Sequence, residues 1–268
     1  MEMLQLNDLH KTFNPGTVNE KVTLNGVSLQ MEAGDFATIV GSNGAGKSTL
    51  FNAITGGFIA DEGSILLGGQ DITFAPEHQR SKVIGHLFQD PLKGTAPNMT
   101  IEENLALAYL RAGTAPNAIF SRISRKDKEL FREKLALLNM GLEDRMKQPV
   151  GLLSGGQRQA LTLLMATLKK PKLLLLDEPT SSLDLKNQYQ VLQIVKDICH
   201  ETGISAIVVI HDLNLALRFC DRFLLMQQGE VYRYGDAGIL DREAIWEVYG
   251  VHGEVVSAGN QKVVIVDE

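Results

Sequence analysis

The sequence has little of several features that would place it in a special class of protein. Only 2 of its 268 residues are cysteines, Cys199 and Cys220, and their separation does not match metal-ligand spacing. Two thiols in a chain of this length favour a reducing compartment. No apolar run approaches the roughly 20 residues that span a bilayer, and the stretch from Met1 lacks the basic and apolar segments of a signal peptide. We therefore expect any membrane span to belong to another chain.

An excess of basic charge is also missing. The chain carries 26 Lys and Arg against 32 Asp and Glu, a net charge of −6, which argues against nucleic acid binding through a broad basic face. The one dense basic stretch, residues 122–134, also contains Asp127, Glu129 and Glu133, so a solvated helix face is the favoured interpretation. With 44% hydrophobic residues and neither a repeat nor a low-complexity linker, the chain reads as an ordinary globular protein.

One stretch predicts the chemistry. Residues 36–40 are apolar and β-branched, as in a buried strand, and residues 50–54 continue as a helix. Between them, residues 41–49 match the G-x-x-x-x-G-K-[ST] pattern of a phosphate-binding loop in the strand–loop–helix context that the pattern requires. Glycines let backbone N–H groups converge on an anion, and the helix N-terminus adds partial positive charge. The predicted phosphate-binding residues are Gly41, Ser42, Asn43, Gly44, Ala45, Gly46, Lys47, Ser48 and Thr49.

Two carboxylates follow another apolar run and suggest where a metal ion binds. Asp177 and Glu178 come directly after four leucines, at the expected carboxyl edge of a parallel sheet, where ligands of open α/β folds bind. Asp177 and the Ser48 hydroxyl suit Mg²⁺, and Lys47 suits the β- and γ-phosphates. Glu178 suits the polarisation of an attacking water. The alternative is a pair of solvated carboxylates at a strand end.

A second anion cradle is predicted at residues 152–157. Ser154 is placed to cap a helix, and Gly155 and Gly156 expose its first amides next to Gln157. This cradle has no lysine and no metal-binding carboxylate of its own, which suggests one phosphate group approached from two sides. A simple helix cap is the alternative interpretation.

Three single residues complete the candidate set. Gln89 and His211 each follow a predicted strand, where Gln89 can place water or Mg²⁺ and His211 can donate to a γ-phosphate oxygen. Phe13 precedes a turn and can stack on a purine ring. Taken alone, such a histidine is more often a surface or capping residue, and such a phenylalanine is more often part of a core.

In this order the motifs resemble those of ABC-type ATPases over about residues 3–235. The resemblance assigns residues 41–48 to Walker A, Gln89 to the Q-loop, residues 153–157 to the signature, residues 173–178 to Walker B, residues 182–184 to the D-loop and His211 to the H-loop. It implies a head-to-tail homodimer that closes over two ATP molecules. Ser154, Gly156 and Gln157 of one chain would then face the γ-phosphate held by Lys47 of the other, with Asp184 at the same interface. Phe13 would be the adenine-stacking aromatic, where Tyr is frequent in the family.

The resemblance also implies the fold and its divisions. Helical spacing in residues 101–111, 126–139 and 154–169 predicts an all-helical insert within an α/β chain. The implied fold is α/β, a P-loop NTPase (RecA-like) core with an antiparallel β subdomain and an α-helical subdomain. Residues 1–98 and 171–235 would form the core and the β subdomain. Residues 99–170 form the helical subdomain, and residues 236–268 form a C-terminal extension with a helix and a hairpin.

The function implied by the resemblance is Mg²⁺-dependent ATP hydrolysis that powers solute import through a separate membrane permease. The subunit would then be cytoplasmic and peripheral, and residues 90–100 would form part of the permease docking surface. A soluble ABC-type ATPase without a transport partner is the first alternative. A binding module that takes ATP without turnover is the second, and Glu178 with His211 argues against it, since such a module needs neither.

The two parts of the chain resemble different importer ATPases. Residues 11–20, 94–106 and 151–170 resemble subunits of lipoprotein-dependent importers of amino-acid-like solutes. Residues 209–216, 220–222, 235–236 and 246–250 resemble subunits of iron-chelate and vitamin B12 importers. Because the two parts resemble different subfamilies, the chain could be predicted to be a recombinant or engineered chimera joined near residues 172–180.

Overall fold

The computed structural model of the protein describes residues 2–90, 92–111, 123–181, 183–259 and 261–266. The strands are β1 (Glu2–Phe13), β2 (Lys21–Glu32), β3 (Phe36–Val40), β4 (Glu62–Leu67), β5 (Gln70–Asp71), β6 (Ile84–Leu87), β7 (Leu173–Leu176), β8 (Ser205–Val209), β9 (Arg222–Gln227), β10 (Glu230–Gly235), β11 (Gly253–Ala258) and β12 (Gln261–Val266). The helices are α1 (Lys47–Thr55), α2 (Glu77–Arg80), α3 (Ile101–Arg111), α4 (Arg125–Ala136), α5 (Gly155–Thr167), α6 (Leu185–Thr202), α7 (Leu213–Phe219) and α8 (Arg242–Tyr249).

A six-stranded sheet in the order β10-β9-β3-β8-β7-β6 forms the centre of the fold. All its neighbouring strands are parallel except β9 and β10, which form an antiparallel hairpin. Every residue of β3, β7 and β8 is buried, which explains why these segments read as continuous apolar runs rather than alternating ones. Because the strands are parallel, the residues that follow β3, β6, β7 and β8 lie at one edge of the sheet.

Different elements cover the two faces of this sheet. On one face, α1 and an antiparallel sheet in the order β2-β1-β4-β5 share an apolar core that includes Leu6, Phe51 and Leu175. On the other face, α6, α7 and α8 pack on a second core that includes Leu192, Ala216 and Ala244. Alternate residues of β1 and β2 enter the first core, as expected for a sheet with one exposed face.

The three predicted helices of the insert are present as α3, α4 and α5, and they share a core of their own that includes Leu105, Phe131 and Leu161. Thr100 followed by Glu103 predicts a capping box at the start of α3. The structure confirms it, since Glu103 accepts from the Thr100 backbone N–H at 2.7 Å and Thr100 Oγ1 accepts from the Glu103 N–H at 3.2 Å. The sequence also predicts that residues 113–117 break the first helix of the insert, and these residues lie outside the described ones. The boundaries 99–170 stay a prediction.

The C-terminal part consists of α8 and the hairpin β11–β12, as the sequence predicts, although Asn260 of the predicted turn is outside the described residues. The Val264 N–H donates to Asn214 Oδ1 at 2.8 Å and attaches β12 to α7. None of the helices in the described ranges combines the length and the apolar character needed to cross a membrane.

His86, in the middle of β6, predicts a pH-dependent stability. Its ring lies 4.3 Å from the Phe88 ring, its Nε2 atom has no hydrogen-bond partner among the described residues, and burial lowers its pKa from 6.5 to about 4. In the unfolded chain the imidazole takes up a proton near pH 6.5, and in the folded chain it does so only near pH 4. The free energy of unfolding therefore decreases as the pH falls from 6.5 to 4. Between pH 7 and pH 5 we expect a loss of about 2 kcal/mol, absent in His86→Phe, in urea unfolding. An equal loss in the variant would contradict the prediction.

Candidate active site

The phosphate-binding loop joins β3 to α1 and has the backbone that its glycines permit. Gly44 and Gly46 have φ values of +87° and +102°, a region that side chains with a Cβ rarely adopt. Gly46 is the N-cap of α1, so the helix begins at Lys47, earlier than the expected Leu50. Lys47, Ser48 and Thr49 therefore form the first turn of the helix, where the free backbone N–H groups and the helix dipole favour an anion.

Neighbouring backbone holds this loop on two sides. A Cβ atom on Gly46 would lie 2.7 Å from the Thr23 carbonyl oxygen of β2, and one on Gly41 would lie 2.6 Å from the Met226 carbonyl oxygen of β9. In the β9–β10 turn, the Gly229 N–H donates to the Ala45 carbonyl at 3.1 Å. From the sequence, residues 228–229 are predicted only as a hairpin turn, because their contact with the loop is long-range.

Lys47 is held inside the loop. Its Nζ donates to the carbonyl oxygens of Gly41 at 2.6 Å and Ser42 at 3.0 Å, and the residue is 8% exposed. Burial lowers the pKa of this ammonium, while Glu178 and Asp177 act in the opposite direction. The loop borders a cleft of about 160 Å³, which is lined by Lys21, Thr23, Asn43, Gly44, Gly46, Lys47, Ser48, Thr49 and Glu178.

Three predicted catalytic residues meet at the end of the parallel strands. Gln89 Nε2 donates to one carboxylate oxygen of Glu178 at 2.7 Å, and His211 Nε2 lies 2.7 Å from the other. These residues follow β6, β7 and β8, so the order of the sheet brings them together although up to 122 residues separate them in sequence. Glu178 has a φ of +45°, uncommon for a residue with a side chain and often found at functional positions.

The residues proposed for Mg²⁺ fit that ion chemically. Ser48, Asp177 and Gln89 supply hydroxyl, carboxylate and amide oxygens, the hard ligands that Mg²⁺ takes, usually with few protein groups and with phosphate oxygens. Burial and the charge of Glu178 raise the pKa of Asp177, which is the electrostatic situation that a cation would relieve. Among the described residues, no three His, Cys, Asp or Glu side chains form a metal-binding group, so a cage made of protein ligands alone is absent there.

The predicted second cradle is a capped helix start on a different surface. Ser154 Oγ accepts from the Gln157 N–H at 3.3 Å, and Gln157 Oε1 accepts from the Ser154 N–H at 3.2 Å, while Gly155 and Gly156 lie in the first turn of α5. Ser154 and Gln157 line a cleft with Asn187, which hydrogen-bonds to Asp184, the N-cap of α6. Ser182 of the predicted D-loop lies outside the described residues.

Phe13 lies at the end of β1 beside the phosphate cleft. It pairs with Lys21 of β2, and Lys21 lines that cleft. Its side chain is 38% exposed rather than part of a core, and its ring meets the Phe58 ring edge-on at 5.5 Å.

A buried arginine that sequence analysis missed holds the far end of α1. Arg80 is 1% exposed, and its guanidinium donates to the carbonyl oxygens of Ala53 at 2.7 Å, Ile54 at 3.0 Å, Thr73 at 2.8 Å and Ala75 at 2.7 Å. A cation at a helix C-terminus complements the helix dipole. A single arginine in a polar segment of sequence gives no signal that its guanidinium will be buried against backbone carbonyl groups.

Comparisons with known proteins identify relatives over most of the chain. The family model described as ABC transporter matches residues 24–181. A tyrosine transport ATP-binding protein of Clostridioides difficile (strain R20291) is 39% identical over 230 residues, which cover 85% of this chain and 90% of that protein. A phosphonates import ATP-binding protein of Alcaligenes faecalis is 34% identical, over 92% of this chain and 88% of that protein.

The solved structures agree in fold. The dimeric post-hydrolysis state of an ATP-binding cassette bound to ADP and Pi matches with a TM-score of 0.75 and 28% sequence identity, over 87% of this chain and 98% of that chain. The predicted fold class, a P-loop NTPase core with an antiparallel β part and a helical part, is confirmed.

The chimera hypothesis concerns a junction that these alignments cross. A relative that covers 85% of the chain is aligned through residues 172–180 as well as on both sides of them. The hypothesis predicts that the two parts of the chain have different nearest relatives, and the same nearest relatives for both parts would contradict it.

Proposed function

The chain belongs to the ABC transporter family, and from this premise we propose that it is the ATP-hydrolysing subunit of a solute importer. It uses Mg²⁺, works as a head-to-tail homodimer, and drives a separate membrane permease from the cytoplasmic face. The relatives named above are a tyrosine transport protein and a phosphonates import protein, which differ in solute. This supports a subunit that supplies energy and leaves the choice of solute to other chains.

The observation that carries this proposal is the arrangement around Glu178. Gln89 and His211 hold its two carboxylate oxygens, each at 2.7 Å, and Glu178 itself lines the cleft of the phosphate loop. A carboxylate fixed beside a phosphate cleft can polarise a water for in-line attack on a γ-phosphate. Lys47 and the N-terminus of α1 neutralise phosphate charge, and bound Mg²⁺ would add to this through Ser48, Asp177 and Gln89. Phe13 stacks on the base.

The position of the second cradle supports the proposed head-to-tail arrangement. Ser154 caps a helix whose first residues, Gly155 and Gly156, present their backbone N–H groups on a surface separate from the phosphate cleft. In a head-to-tail dimer they would meet the γ-phosphate bound by the partner, with Asp184 beside them. ATP would thus draw two chains together, and loss of the γ-phosphate bridge on hydrolysis would release them.

A mixing experiment tests this composite site together with ATP hydrolysis. Lys47→Ala and Ser154→Arg chains are each expected to be inactive in Mg²⁺-dependent phosphate release. Mixed, they form heterodimers with one intact site, because one chain supplies a sound phosphate loop and the other a sound cradle. With random pairing and independent sites, about a quarter of the parent activity should return. If the mixture stayed as inactive as its components while the parent turned over, the composite site would be wrong.

A groove between the core and the insert is the proposed docking surface for the permease. Its cavity of about 310 Å³ lies beside Gln89 and is lined by His86, Leu87, Phe88, Lys93, Gly94, Thr95, Ala96, Asn104, Leu107, Ala108, Thr162, Met165 and Ala166. Phe88 and Leu107 are 36% and 51% exposed, so apolar surface is available to a helix of a partner. Of the predicted docking segment, Pro91 lies outside the described residues.

Purification from detergent-solubilised membranes of the source cell tests the docking. We expect a stoichiometric integral membrane subunit with the parent chain and its loss with Leu107→Glu, while ATP binding persists. Leu137→Glu is the matched control, because Leu137 is 66% exposed at the end of α4 and outside the groove. Absence of any membrane subunit with the parent would favour a soluble ABC-type ATPase.

A further inference from the structure

The end of β1 that carries Phe13 has an incomplete edge. Pairing of β1 with β4 stops at His10 and Glu62, so residues 11–13 continue with only β2 as a neighbour. The β1–β2 register also shifts between Lys11 and Thr12, and a turn follows at residues 14–19. A strand end of this kind has free N–H groups and little to fix the direction of its side chains.

Asp61 completes this edge in place of a strand. Its backbone N–H donates to the His10 carbonyl at 2.9 Å, and its Oδ2 accepts from the Thr12 N–H at 2.7 Å. Its Oδ1 pairs with Lys11 Nζ at 2.6 Å, and Lys11 also donates to the Ile59 carbonyl at 3.1 Å. Only 15% of the Lys11 side chain is exposed, against 43% of the Asp61 side chain, so the ammonium is more shielded than in an ordinary surface ion pair.

The same pair stands against the aromatic rings. Lys11 Nζ lies 5.6 Å from the centre of the Phe13 ring and 5.2 Å from the centre of the Phe58 ring, within the range of a cation–π contact. Phe58 in turn meets Phe13 edge-on. The carboxylate therefore fixes a cation, the cation contacts both rings, and Phe13 keeps a partly exposed surface next to the phosphate cleft.

We propose that Asp61, acting through Lys11 and the Thr12 N–H, is a positioning residue that orients Phe13 for stacking on the nucleotide base. Asp61 is not among the residues that line the phosphate cleft, and the inference rests on the proposed role of Phe13. The phosphate loop is held separately, by β2 and the β9–β10 turn. Loss of the Asp61 pair should therefore weaken recognition of the base and leave recognition of the phosphates intact.

The test compares ATP with Mg²⁺–tripolyphosphate, which offers the phosphates without a base, on the purified full chain. Asp61→Asn keeps the size of the side chain and an acceptor for Thr12 but removes its charge. We expect its KM for ATP to rise about fivefold to tenfold, within the range expected for loss of base stacking. The kcat and the inhibition constant of tripolyphosphate should stay within about twofold of the parent values. Lys11→Met should give the same pattern, with a raised KM for ATP and little change in the other two constants.

Asp71→Asn is the matched control, since Asp71 lies in β5 of the same sheet and accepts hydrogen bonds from the Thr73 N–H and hydroxyl, away from Phe13. Asp71→Asn should leave both the KM for ATP and the inhibition constant of tripolyphosphate unchanged. If Asp61→Asn weakened the binding of tripolyphosphate as much as that of ATP, Asp61 would have a general structural role and the proposal would be overturned. If Phe13→Ala raises the KM for ATP and Asp61→Asn does not, the positioning role alone is wrong. If Phe13→Ala leaves the KM for ATP unchanged, stacking on Phe13 and its positioning by Asp61 are both wrong.

Discussion

Glu178→Gln should lower Mg²⁺-dependent ATP hydrolysis by about a thousandfold while ATP still binds. The amide has the size of the carboxylate, so the phosphate loop, Lys47 and the local backbone keep their places. It cannot take a proton from water, and it lacks the negative charge that now faces Gln89 and His211 at 2.7 Å. Removing that charge also lowers repulsion of the γ-phosphate. We therefore expect an ATP-trapped dimer in size-exclusion chromatography, together with the loss of phosphate release.

Glu129→Gln is a suitable control for this substitution. Glu129 pairs with Arg125 at 3.2 Å on the exposed side of α4, so the change removes a paired carboxylate of the same type outside the site. Its activity should equal that of the parent. Turnover by Glu178→Gln at a rate close to that of the parent would exclude Glu178 as the residue that polarises water.

Gly229→Ala should destabilise the protein and weaken ATP binding, although Gly229 belongs to no nucleotide-binding motif. Its φ is +84°, and an added Cβ would lie 2.8 Å from the Thr23 carbonyl oxygen and 3.0 Å from its carbon. Both atoms are backbone, so the β9–β10 turn must move away from β2 and lose its hydrogen bond to Ala45 in the phosphate loop. Backbone strain and the clash together should cost about 3–5 kcal/mol in urea unfolding. We expect ATP affinity to fall at least tenfold in isothermal titration.

Gly34→Ala separates the clash from the strain. Gly34 has a φ of +87°, almost the same backbone as Gly229, but an added Cβ would meet no atom within 4 Å. Its loss of stability should be limited to about 1–2 kcal/mol of strain, with ATP affinity unchanged. If the two alanine variants behaved alike, contact between the turn and the phosphate loop would have no role in binding.

Much of the fold could be predicted because its signals are local. The mainly apolar runs of β3, β7 and β8 predict a buried parallel sheet, and the glycines before Lys47 predict a turn that requires glycine. The partial alternation of residues 4–9 predicts a strand of that length, whereas β1 runs from Glu2 to Phe13. The added part includes the polar residues His10, Lys11 and Thr12, and its pairing with β2 is a long-range property that periodicity does not report.

The sequence by itself determined which chemical groups the protein has and the strand ends on which they lie. Local pattern suffices for this, because a buried strand and a glycine loop each have a sequence signature that depends on near neighbours. Only the tertiary structure decided which groups meet. Glu178 between Gln89 and His211, Gly229 against the phosphate loop, Arg80 under α1 and Asp61 behind Phe13 all join segments far apart in the chain. Such contacts depend on strand order and on exact distances, which hydrophobic periodicity does not encode.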